Sequence, residues 1–152
     1  MAEKTETFSA EERAAMKDRV KESRSRSSAK KKDPETARRD GDAEIAEKLA
    51  ALSDEERALG EALRTMVSES APHLMPRTYY GMPAWANEAG KVVCFFKPKS
   101  KFKVRYSTFE FEAPATLDEG NVWPTAYAVT ALDKADLAFL AERVRRAAGT
   151  DG

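Results

Sequence analysis

The sequence predicts an α+β fold: a curved antiparallel sheet of about five strands with helices gathered on one face. Between Thr78 and Tyr106 three strand-like runs follow one another through short breaks. One of them, Val92-Val93-Cys94-Phe95-Phe96, is unbroken, apolar and rich in β-branched and aromatic residues. A run of that length and kind reads as a strand covered on both faces. Everything before and after the block reads as helix or linker, apart from one more strand region near Trp123.

A chain of 152 residues has room for one domain, since single cores commonly take about 100–150 residues. Lys plus Arg number 26 and Asp plus Glu number 26, so net charge points to no partner. Distribution is more informative, because basic residues crowd between Lys17 and Arg39. One cysteine excludes an internal disulfide and one histidine excludes a site built on two imidazoles. No apolar stretch approaches the ~20 residues needed to span a bilayer, and the polar N-terminus lacks the pattern of a secretory signal. The expectation is a soluble cytoplasmic protein, a monomer or weak dimer.

Taken in order, Ser9 and Glu12 form a capping box that opens a short helix at 9–22, with Phe8 placed to pack against Arg13. Its apolar face holds only Ala14, Ala15, Met16 and Val20. The following Ser-, Lys- and Arg-rich stretch has no apolar periodicity and predicts a flexible basic linker. Residues 1–41 thus read as an arm. Its basic run suits weak contact with nucleic acid or an acidic partner, or acts only as a solvated tether.

The domain proper is expected at 42–149. Asp42 can cap a short helix through Ile45, Leu49 and Leu52, and Ser53 with Glu56 opens a second. Leu59, Leu63, Met66 and Val67 share one face of that second helix, and Pro72 marks its end. His73, between two prolines, reads as a loop residue. Thr78-Tyr79-Tyr80 then enters the sheet, with Gly81-Met82-Pro83 as a bulge or kink and Ala84-Trp85-Ala86 continuing the strand.

Asn87 to Gly90 predicts a hairpin turn. In the strand that follows, Cys94 reads as a small buried hydrophobe. Phe102, Val104 and Tyr106 alternate with Lys101, Lys103 and Arg105, which predicts a half-buried strand with one basic face. Phe109 and Phe111 alternate likewise with Glu110 and Glu112. A last strand runs past Pro124 through Tyr127 to Val129. Asp133 then caps a closing helix, whose Leu137, Leu140, Ala141 and Val144 face the core, and Gly149 ends it.

The block Tyr80-Gly81-Met82-Pro83-Ala84, followed by the Gly90-Lys91 hairpin and flanked by helices, resembles the YdhG-like family of domains of unknown function. Some members are called intracellular iron chaperones and compared with frataxin. The resemblance covers roughly residues 44–148. It implies a YdhG-like α+β domain with iron handling as one role, although the histidine that members often carry after the apolar run is missing here.

Two alternative binding sites are therefore candidates, and no enzyme motif stands out. Iron favours carboxylate oxygens and imidazoles, which makes Glu110, Glu112, Asp118 and Glu119 the candidate ligands. The alternative is a non-enzymatic module that holds an anionic or planar small molecule, or an acidic partner, on a basic, aromatic-lined sheet face. Its candidate residues are Tyr79, Tyr80, Trp85, Lys97, Lys103 and Arg105.

Overall fold

The computed structural model describes residues 8–29 and 33–149. Helices α1 (Ala10–Ala29), α2 (Pro34–Ala50) and α3 (Asp54–Ser70) precede strands β1 (Met75–Tyr79), β2 (Met82–Ala86) and β3 (Val92–Lys97). The one-turn helix α4 (Lys99–Phe102), strands β4 (Ser107–Phe111) and β5 (Ala126–Val129), and helix α5 (Lys134–Ala148) complete the chain. The five strands pair antiparallel in sequence order, so the sheet is a meander and the α+β expectation holds. No helix of the described residues is long and apolar enough to cross a membrane.

Strand alternation divides the side chains between two faces. One face turns Trp85, Cys94, Phe96, Phe109, Phe111 and Val129 into the main core. There they meet Ile45 and Leu49 of α2, Leu63, Met66 and Val67 of α3, and Leu140 and Val144 of α5. The opposite face carries a smaller cluster of Met82, Ala84, Val92 and Phe95, with Tyr79, Tyr80 and Phe102 packed against it. All five apolar residues of Val92–Phe96 are buried, as their composition implies.

The closing helix forms as expected, with a capping box between Asp133 and Asp136 and a left-handed Gly149 (φ 79°) at its end. The Asp133 carboxyl is held below its ordinary range, chiefly by the hydrogen bond it accepts from the Asp136 backbone N–H.

Four expectations are corrected. The helix predicted at 9–22 continues to Ala29, and a second helix begins at Pro34, capped by Asp33 rather than Asp42. Most of the supposed linker is therefore helical, and the boundary placed at residue 42 falls inside α2. Residues 33–41 belong to the packed body. Arg38 donates to the carbonyls of Pro72 (2.9 Å) and Leu74 (3.2 Å), and Gly41 is buried against β1.

Gly81-Met82-Pro83 is not a bulge or kink within one strand, because the chain reverses at Tyr80 and Gly81 between β1 and β2. Tyr79 pairs with Met82, so the two residues form a tight hairpin turn. Both have positive φ, 52° and 80°, as a type I′ turn requires. Pro83 lies beyond the β2–β3 ladder, which begins with Ala84 opposite Phe95.

The strand with a basic face does not form either. Pro98 leads into α4, and Lys103 closes that turn in the left-handed region (φ 56°). Buried Glu56 fixes the conformation, accepting hydrogen bonds from the Ser100 backbone N–H (2.8 Å) and hydroxyl (2.9 Å). A carboxylate from α3 thereby overrides the local alternation. The strand expected near Trp123 and past Pro124 is confined to Ala126–Val129, and Val122 is 87% exposed.

Candidate functional site

Helix α1 is tied by its carboxylates to α4 and to the β1–β2 turn. Glu11, Asp18 and Glu22 recur at intervals of seven and four residues, which lines them up on one side of a helix. Glu11 pairs with Lys103 at 3.0 Å and Asp18 with Lys101 at 3.4 Å. The buried Glu22 carboxylate accepts the backbone N–H groups of Tyr80 (3.1 Å) and Gly81 (2.9 Å). Lys103 holds the Glu11 carboxyl below its ordinary range through the hydrogen bond it donates. Between these acids, Arg19 sits over the rings of Tyr79 and Tyr80 at 5.6 and 5.7 Å, and Ala15 is buried.

Where α1 meets α4 and the β1–β2 turn, a groove of about 440 Å³ opens. Its walls are Phe8, Ala15, Met16, Tyr80, Phe102 and Val104, with Glu12 and Lys97 as the charged members. Phe8 and Val104 are large apolar residues 50% and 43% exposed, so the groove presents apolar surface to solvent. The Lys97 ammonium lies 5.7 Å from the centre of the Phe102 ring and 3.5 Å from a Glu110 oxygen. Thr108 donates to the same Glu110 oxygen at 2.7 Å. Tyr79 donates its phenolic hydrogen to Glu112 at 2.6 Å. Burial first, and that bond second, push the phenol up from its ordinary value, so it remains a donor.

The expected site residues are only partly brought together. Tyr80 and Lys97 line the groove, and Tyr79 meets Tyr80 edge-to-face with ring centres 4.8 Å apart. Trp85 is buried on the helix-covered face beside Phe109, away from the groove. Lys103 is committed to Glu11, and Arg105 is exposed with its guanidinium 4.8 Å from the centre of the Tyr106 ring.

The four expected iron ligands are not gathered. Glu110 and Glu112 each hold a partner on the sheet, while Asp118 and Glu119 are exposed in the loop before β5. Among the described residues no group of three or more His, Cys, Asp or Glu side chains stands close enough to hold a metal ion. Met16, Phe102 and Val104 were not foreseen as site residues, because each was assigned to a helix face or to the strand that does not form. The one available signal was the acidic stripe on α1, which marks a side turned toward cations.

A second cavity, of about 400 Å³, lies between α2, α3 and β1, and Trp85 contributes to its wall. Arg38 and Arg64 beside it are taken up by the carbonyls of Pro72, Leu74 and Asp42. No family model, curated protein or solved structure matches the chain.

Proposed function

We propose that the chain is a small-molecule binding module that holds a planar aromatic anion in the groove between α1, α4 and the β1–β2 turn. The observation that carries this reading is the single ammonium of Lys97 set among Tyr80, Phe102, Met16 and Val104. Pockets for small ligands are mostly apolar with a few placed polar groups. A flat ring against Tyr80 and Phe102 buries its faces on aromatic surface. Its carboxylate or sulfonate then meets Lys97, whose three donors are not exhausted by Glu110. The groove is half made by α1, so the helix that sequence reading set apart as an arm belongs to the site.

The test is a fluorescence titration with 8-anilinonaphthalene-1-sulfonate, a planar aromatic anion. Lys97→Gln and Phe102→Ala are each expected to weaken binding about tenfold, equivalent to about 1.4 kcal/mol. Equal affinity in the parent and both variants would sink the reading. Iron handling, implied by the YdhG-like resemblance, is the competing role and has Glu110 and Glu112 near the end of one strand to draw on. Calorimetry with ferrous iron decides it. Heat that disappears in Glu110→Gln/Glu112→Gln, with the fluorescent anion unaffected by the groove variants, transfers the function to iron.

A further inference from the structure

Helix α1 is sorted by charge around its circumference. Its acids at 11, 18 and 22 face Lys103, Lys101 and the turn amides, and Glu12 is engaged by the Ser9 amide. Lys17, Lys21 and Arg24 are exposed on another side, around Val20, which is 51% exposed. Among the described residues none of these three cations forms an ion pair, because the acids of their own helix are already held by the body. A chain with zero net charge therefore presents a basic strip here, although Lys21 at its edge also borders a cleft lined by Asp18, Glu22, Glu44 and Glu47.

We infer that this outer face of α1 is a docking surface for the phosphate backbone of duplex nucleic acid. Lys17 to Arg24 covers about 10 Å along a helix axis. A duplex offers about one negative charge per 1.7 Å of its axis, hence about six opposite the strip. Stacking with unpaired bases is not available, since the strip contains no aromatic residue. A helix lying in a lipid interface buries Trp, Phe or Leu, whereas Val20 and half-buried Met16 are the apolar residues here. The contact reads charge and not base sequence.

The experiment is fluorescence anisotropy of a labelled 20-base-pair DNA duplex of arbitrary sequence with the full chain at 50 and 200 mM salt. Three phosphate contacts predict an affinity that falls about 40-fold over that range. The triple variant Lys17→Gln/Lys21→Gln/Arg24→Gln is expected to lose most of this binding and most of its salt dependence, with an unchanged circular dichroism melt. Parent and triple variant binding alike would place the contact on other basic residues and overturn the assignment. So would the absence of binding at 50 mM salt. Tighter binding to poly-glutamate or to phosphatidylserine vesicles than to the duplex would give the face to an acidic polypeptide or a membrane instead.

Discussion

At Gly41 and Gly81 a missing side chain decides the packing. A β-carbon on Gly41 would overlap the Pro76 carbonyl oxygen, so the glycine lets the middle of α2 lie directly on β1. Ala is the better helix former by about 1 kcal/mol, yet Gly41→Ala is expected to destabilise by about 1–2 kcal/mol, because backbone must move apart from backbone. Urea unfolding measures it, and a stabilised variant would mean that helix and strand are not tightly seated. Gly81 combines a positive φ with a close approach to the Asp18 carboxylate, so it is held by both the turn and α1. Cys94 is fully buried, and burial pushes its thiol up from the ordinary range. It is expected to ignore Ellman's reagent in the native protein and to react once unfolded. The sign for stability follows. The unfolded thiol ionises above about pH 8.5 while the folded one stays protonated, so stability falls as pH rises through that region. A stability that climbs between pH 8 and 10 would contradict the burial.

Elements with an apolar stripe were legible from sequence, and those held by polar groups were not. Leu59, Leu63, Met66 and Val67 announced α3, and Asp133 with Gly149 bracketed α5. The first half of α2 packs through a glycine and the Arg38 guanidinium, neither of which leaves a hydrophobic period. Helix α1 docks through carboxylates, and α4 is imposed by Glu56 from elsewhere in the chain. Of the expected site, Lys97 and Tyr80 were recognisable as residue types, while the rest of the groove depends on how α1 crosses the turn. Two truncations separate the elements. Removing residues 1–32 is expected to leave a cooperative melt, because the main core contains no α1 side chain. Starting at Asp42 instead removes the Asp33 cap, Arg38 and Gly41, and should lower the midpoint by more than about 5 °C, or over 1 kcal/mol. Equal midpoints for the two chains would return residues 33–41 to linker status.

For the whole molecule, acid acts on helix caps and on the α1 joint. Glu11, Asp33 and Asp133 are all held below their ordinary ranges, by Lys103, by the Thr36 N–H and by the Asp136 N–H respectively. Each supports the fold above the ordinary carboxylate range, about pH 4, and loses that contribution as pH falls through its folded value. Of the three only Glu11 ties α1 to the body, while Asp33 and Asp133 cap helices of the core. Binding of the fluorescent anion, which needs α1 in place, is therefore expected to fail at a higher pH than the circular dichroism signal of the sheet. Simultaneous loss would mean that α1 is not separately detachable. The meander also has a consequence in time. Every strand pairs only with its neighbours in sequence, so no distant stretch of chain must be found before the sheet can zip up. Low sequence separation of contacts goes with fast folding, on the order of milliseconds for mixed domains. The sheet is then expected to assemble ahead of α1, whose partners Tyr80, Gly81 and Lys101 lie about sixty to eighty residues away along the chain. The groove would be the last part of the molecule to come into being.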